Sequence, residues 1–336
     1  MDIIKIEADL EDYALAERRE LQTVWLLRKV SRLGRHAFYN CRNLKTLYFW
    51  DTLRDIGDGA FKNCERLSEL GIIQSGEGSY AALKSILSEL SGAFLISFMT
   101  EEPSETAAPV FRNRIYIPSY LHDYEENTEA RIINQVTYGV GVHYRECIRE
   151  AGLDYAAYDR LFSRCIPLDR EAAWKVAFFR CAYPWELRSA ARKKYLDWLR
   201  EHREQVVEGL CREGEDMPSL LRLWLSLEPY QTEEDWKEAL DYLHECGSWT
   251  ALAVLLCGLQ EWRERLETGK REENVSKERE IREEREERKE SVSEECEIRE
   301  ESEKSIPEKR EIGEEKEESE AKRIKVSRRR TNKFEF

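Results

Sequence analysis

The chain has 336 residues, 41% of them apolar and 36% charged, with a formal net charge of −14. That is long and apolar enough for more than one packed domain, and more charged than the roughly 25% of an average domain. The excess sits late in the chain: residues 271–320 hold 22 Glu against 12 Lys/Arg, and residues 321–336 hold seven Lys/Arg against one Glu. No run reaches the ~18 apolar residues of a membrane-spanning helix, and the acidic opening lacks the basic-then-apolar order of a secretion signal. Nine cysteines with no Cys-x-x-Cys pair argue against a disulfide framework. The expected location is therefore cytoplasmic, without membrane contact.

In chain order, Asp2–Ile6 reads as a strand, with Leu15 and Leu21 on a divergent return. A repeat follows. Leu33-Gly34-Arg35-His36-Ala37-Phe38-Tyr39-Asn40-Cys41 aligns with Ile56-Gly57-Asp58-Gly59-Ala60-Phe61-Lys62-Asn63-Cys64 at an offset of 23. The offset persists through Leu44/Leu67, Leu47/Leu70 and Phe49/Ile72, and counting back reaches Leu21, Val24 and Leu26. Leu-x-x-Leu-x-Leu/Phe is a turn entering a short strand, whose alternate side chains point one way. Such a strand buries its apolar row only by stacking on its neighbours in a parallel sheet. Phe38 and Phe61 should stack on the return side, Asn40 and Asn63 should satisfy backbone groups at the bend, and Cys41 and Cys64 read as small buried residues.

The pattern Gly-x-x-Ala-Phe-x-Asn-Cys-x-x-Leu-x-x-Leu resembles the BspA-type leucine-rich repeats common in bacteria, with two full rungs matching. The resemblance implies a solenoid used for protein recognition and implies no catalytic residues.

After Ile73, Ser79 could cap a helix to about Leu90, and Phe94–Phe98 and Arg114–Ile117 read as further strands, for six rungs in all. The segment Thr100–Val110 is a polar loop. If Leu47 and Phe49 point inward, Tyr48 and Trp50 point outward, giving two columns: Trp25, Tyr48, Gly71 and Leu27, Trp50, Ile73. Solvated strand faces are usually polar, so the partner-binding face is assigned to Trp25, Leu27, Tyr48, Trp50 and Ile73. The bland alternative is that the helical region folds back over it.

The expected organisation is α+β: a leucine-rich-repeat solenoid with divergent caps at 1–118, a linker at 119–143, an all-helical domain at 144–266 and a charged, partly helical or disordered tail at 267–336. In the helical domain, Pro184 suits the start of a helix over Trp185–Arg212, and Thr232-Glu233-Glu234-Asp235 is a capping box with Asp at its last position. Gly247 should end one helix and Ser248 cap the next, over Trp249–Arg265. The Ala239–Leu256 helix pair loosely resembles ankyrin-like units and helical extensions found beside BspA-type repeats.

Chemistry-bearing patterns are sparse. His244 and Cys246 are two apart, which suits no metal knuckle. His143 and Cys147 are an i,i+4 pair only if a helix begins early. Walker, Gly-x-Ser-x-Gly and His-Glu-x-x-His motifs are missing from the sequence, and no metal or cofactor is expected. The tail should hold a solvated helix to about Val292, interrupted at Ser305–Pro307 and Ile312–Gly313. Its last basic residues, Lys322, Arg323, Lys325, Arg328, Arg329 and Arg330, could contact nucleic acid. The sequence thus reads as a non-catalytic protein-interaction scaffold, with nucleic-acid association through the basic run as the alternative.

Overall fold

The computed structural model describes residues 3–76, 78–102, 110–127 and 132–303. Five strands run parallel: β1 (Ile3–Ile6), β2 (Thr23–Leu26), β4 (Thr46–Trp50), β6 (Glu69–Ile73) and β7 (Phe94–Met99). The short strands β3 (Arg32–Leu33) and β5 (Asp55–Ile56) pair with each other on the return side. Register follows the repeat, with Thr23 opposite Thr46 and Thr46 opposite Glu69. Leu47, Phe49, Leu70 and Ile72 point inward and are at most 1% exposed. Phe38 and Phe61 stack with centroids 5.3 Å apart and planes 9° from parallel. Cys41 and Cys64 are buried free thiols that donate to the Leu15 and Phe38 carbonyls, each at 3.1 Å.

The bends repeat in backbone conformation more faithfully than in sequence. Tyr13, His36 and Gly59 all have positive φ, and so do Glu17, Asn40 and Asn63, one rung apart in each series. Asn tolerates this left-handed conformation better than most residues, which accounts for Asn40 and Asn63. The Asn40 side chain accepts from Arg42 Nε at 2.8 Å rather than from a backbone donor. Rungs also touch through glycine. A Cβ on Gly57 would lie 2.4 Å from the Arg35 nitrogen, and one on Gly34 2.4 Å from the Glu11 carbonyl carbon.

Two expectations about the end of the array change. The sixth strand, β8 (Phe111–Ile117), runs antiparallel to β7, so it closes the sheet and is not a sixth rung. Residues 100–110 fall short of the roughly dozen residues a parallel crossover needs, so the chain turns back. Before β7, helix α1 (Ala81–Glu89) replaces the usual return and buries Ala82, Leu83, Ile86 and Leu87. Ser79 Oγ accepts from Ala81 N at 3.1 Å, while Tyr80 occupies the cap position.

Residues 119–143, read from sequence as a link, contain the hairpin β9 (Leu121–Asn127) and β10 (Ile132–Tyr138) and the start of α2 (Gly141–Glu146). Gly141 is buried where a Cβ would lie 2.3 Å from the Pro118 carbonyl oxygen, so this glycine allows close packing. Arg145 of α2 enters the same junction. Its guanidinium donates to the carbonyls of Leu87, Leu90, Gly92, Pro118 and Gly141, and burial lowers its pKa to about 10. It thereby satisfies carbonyls that the end of α1 leaves unpaired.

A small pair, β11 (Ile148–Arg149) and β12 (Gly152–Leu153), leads into α3 (Tyr155–Leu168), α4 (Arg170–Ala182), α5 (Ser189–Glu201), α6 (Arg203–Cys211), α7 (Met217–Ser226), α8 (Glu233–Glu245) and α9 (Trp249–Glu303). The helix expected over Trp185–Arg212 is in fact two, α5 and α6, meeting at His202, whose φ of −117° leaves the helical region. His202 stacks on Trp198 and its Nδ1 lies 2.9 Å from the Trp198 carbonyl, which ends the first helix. The Thr232–Asp235 capping box is present in both directions, and Gly247 has the positive φ of a helix terminator. One apolar core runs from Leu21 through the solenoid to Leu259 of the helical region. Residues Met1–Arg263 form one compact unit and Glu264–Phe336 a second.

Candidate interaction face

The pairing register places the outward side chains in three columns across the sheet. The first runs Ile3, Thr23, Thr46, Glu69, Leu95 and Tyr116; the second Lys5, Trp25, Tyr48, Gly71, Ser97 and Arg114. The third runs Trp50, Ile73, Met99 and Phe111, with Leu27 just beyond β2. The second and third columns build an apolar cluster separate from the main core: Trp25, Ile73 and Met99 are buried, and Leu27, Tyr48, Trp50 and Phe111 pack around them half-exposed.

Local sequence explains how the rings lie. Gly71 has no side chain, so Tyr48 leans across it; a Cβ there would sit 2.1 Å from the tyrosine ring and 3.0 Å from Met99 Cε. Trp25 meets Tyr48 at 6.0 Å between centroids, with Lys5 Nζ 5.2 Å from the indole centroid. Arg28 covers the Trp50 ring at 5.2 Å, and Trp50 Nε1 donates to Glu102 at 2.9 Å. Cations over indole faces stabilise by about 0.5–1 kcal/mol at exposed sites.

The helical region covers part of this face. Arg114 donates to Ser97 Oγ at 3.0 Å and lies between the rings of Phe111, Phe179 and Tyr183, which brings α4 onto β8. Lys175 of α4 lies over Tyr116 and pairs with Glu213 at 2.8 Å. Beside this roof an open cleft of about 620 Å³ is floored by Thr23, Thr46, Tyr48 and Glu69, with Lys45 and Arg66 on its rim and Asp216 opposite. Within it Lys45 pairs with Glu69 at 3.0 Å, which raises the lysine pKa, and burial raises that of Tyr48.

All five residues assigned from the sequence lie on this face. Trp25 and Ile73 are enclosed there, at 4% and 0% exposure, whereas Leu27, Tyr48 and Trp50 reach solvent. The sequence reading missed Lys5, Met99, Phe111 and Asp216. Extending the alternation into Phe94–Met99 would have supplied Met99; the other three depend on pairing and on tertiary packing. The basic run Lys322–Arg330 lies outside the described residues.

Other chemistry is scarce in the described part. No group of three or more His, Cys, Asp or Glu side chains is placed to hold a metal among the described residues. Burial raises the pKa of Cys147 to about 11, and its thiol donates to the His143 carbonyl at 3.4 Å. No helix among the described residues is long and apolar enough to cross a membrane.

Residues 5–82 match the family described as the BspA type leucine rich repeat region, in six copies. Comparisons with curated proteins and with solved structures find no match.

Proposed function

Because residues 5–82 are a BspA-type leucine-rich-repeat region, we propose that the chain is a non-catalytic scaffold that binds a protein partner on the outer face of its sheet. The observation that carries this reading is the second apolar cluster, which leaves Leu27, Tyr48 and Trp50 half-exposed on a strand face. An isolated strand face in water favours polar side chains, and aromatic anchors are the residues that dominate protein interfaces. In this reading Trp25 and Ile73 are the supporting layer that fixes Tyr48 and Trp50. Free thiols at Cys41, Cys64, Cys147, Cys165, Cys181, Cys211, Cys246 and Cys257 support a reducing compartment such as the cytoplasm.

The test is affinity capture from the native host with the full chain and with a Leu27→Ala/Tyr48→Ala/Trp50→Ala variant, checked for an unchanged circular dichroism spectrum. A Tyr13→Ala variant, altered at an exposed ring on the return side, serves as control. The reading expects a protein retained by the parent and the control and lost by the triple variant. The same proteins on all three would contradict it.

A further inference from the structure

The two ends of the six-stranded sheet are finished differently. At one end β8 runs antiparallel to β7, and α4 packs on it through Phe179 and the β8 side chain Arg114. At the other end, no strand among the described residues pairs with the outer edge of β1. The core is open there too. Ile4 and Ile6 of β1, with Leu10 and Leu15 of the first return, are only half-buried against it. Their counterparts one rung on, Val24, Leu26, Leu33 and Phe38, are at most 1% exposed. β1 carries no proline and no inward charge to blunt its edge. An unpaired edge backed by apolar side chains is a template for another strand.

Backbone direction and charge together select the strand that fits. Leu27 N donates to the Ile6 carbonyl at 2.9 Å, so Ile6, and Ile4 two residues before it, turn their backbone groups toward β2. Those of Lys5 and Glu7 therefore face the open edge, while both side chains are exposed on the outer face. We propose that this edge pairs antiparallel with β1 of a second copy of the chain about a twofold axis. In the pairing, Lys5 of each copy lies opposite Glu7 of the other, and Ile6 lies opposite its own counterpart. Lys5 and Glu7 then exchange backbone hydrogen bonds, and an ion pair forms across each junction. Charge fixes this register. A two-residue slip puts Lys5 opposite Lys5 in one direction and Glu7 opposite Glu7 in the other, and like charges directly opposite repel. The ladder stops beyond Glu7, where the chain bends at Ala8. Because the axis is normal to the sheet, the inward rows of both copies stay on one side and the two open core ends meet. Such a contact uses the same patch on both copies and closes after two. The dimer would join two sheets into one and set two copies of the proposed protein-binding face side by side.

Sedimentation equilibrium of the full chain tests this. At protein concentrations of tens of micromolar the mass should approach twice the 39.8 kDa of one chain. Lys5→Glu brings a carboxylate opposite Glu7, and Glu7→Lys brings an ammonium opposite Lys5, so each should weaken the dimer about tenfold or more. Both positions are exposed, so the circular dichroism spectrum should not change. The Lys5→Glu/Glu7→Lys variant should recover the dimer. An equimolar mixture of the two single variants should recover it as well, because each supplies the charge that the other lacks. Three results would overturn the proposal: a single-chain mass at every concentration, a dimer that both single variants leave intact, or losses that neither the double variant nor the mixture restores.

Discussion

The solenoid and the helical region share one core but are held in different ways. In the solenoid each rung repeats the last: Ala37/Ala60, Phe38/Phe61 and Cys41/Cys64 are buried at matching positions, and the bends reuse the same left-handed backbone sites. In the helical region the buried contacts are singular. Arg180 is fully buried and clamps Asp159 at 2.8 and 3.0 Å, Tyr195 donates to the same carboxylate at 2.9 Å, and Trp185 offers its carbonyl. Tyr155 and Tyr158 present their rings to that guanidinium. Redundant small contacts stabilise the first region, and a few irreplaceable ones organise the second.

That contrast predicts the largest effects in the helices. Arg180→Met leaves the Asp159 carboxylate buried without its charge partner, which costs about 3–5 kcal/mol. Replacing both members, as Arg180→Met with Asp159→Leu, should recover most of that loss. Urea unfolding measures both, and a double variant no better than the single would refute the assignment of the cost to an unpaired charge. Because the core is continuous, Arg180→Met and Phe38→Ala should each shift one common transition; separate transitions for the two regions would break the shared-core account.

Next in size is the contact between rungs. Gly57→Ala forces a methyl into the Arg35 backbone and should cost about 1–3 kcal/mol. Gly269→Ala, at a helical position with nothing within 4 Å of the new Cβ, should be neutral or slightly stabilising. Equal effects at the two sites would contradict the close approach.

The last effect is shared by both regions, is silent at neutral pH and appears only at high pH. Burial pushes the thiols of Cys64, Cys165 and Cys181 up to about 12 from an ordinary 9.0. The unfolded chain therefore releases protons that the fold retains. The stability these groups contribute is intact below pH 9 and lost as pH rises toward 12, at up to about 1.4 kcal/mol per pH unit for each thiol. Urea midpoints across that range measure it. A Cys64→Ala/Cys165→Ala/Cys181→Ala variant should show a shallower decline; an identical decline would assign the loss to other groups.

The same contrast explains what could be read from the sequence. A repeat of 23 residues announces itself, so the rungs from Leu21 to Ile73, their inward rows and the outward Tyr48 and Trp50 were legible. The first bend was not, because Tyr13 and Glu17 adopt the conformation of His36 and Asn40 without resembling them in chemistry. The reversal at β8 follows from connection length rather than from any residue in Phe111–Ile117. In the helical region, local signals such as the Thr232–Asp235 box were readable, whereas Arg180–Asp159 joins residues 21 positions apart with no periodic signature. The roof over the face was illegible for the same reason: Arg114, Phe179 and Tyr183 meet only in the folded chain.

The central claim concerns the half-exposed rings above the repeat core. Calorimetric titration of the captured partner with the parent chain and with Trp50→Ala tests it most directly. A buried aromatic anchor at an interface is worth about 2 kcal/mol or more, so affinity should fall roughly 30-fold or further. An affinity within twofold of the parent, in a variant with unchanged thermal stability, would show that the partner binds elsewhere.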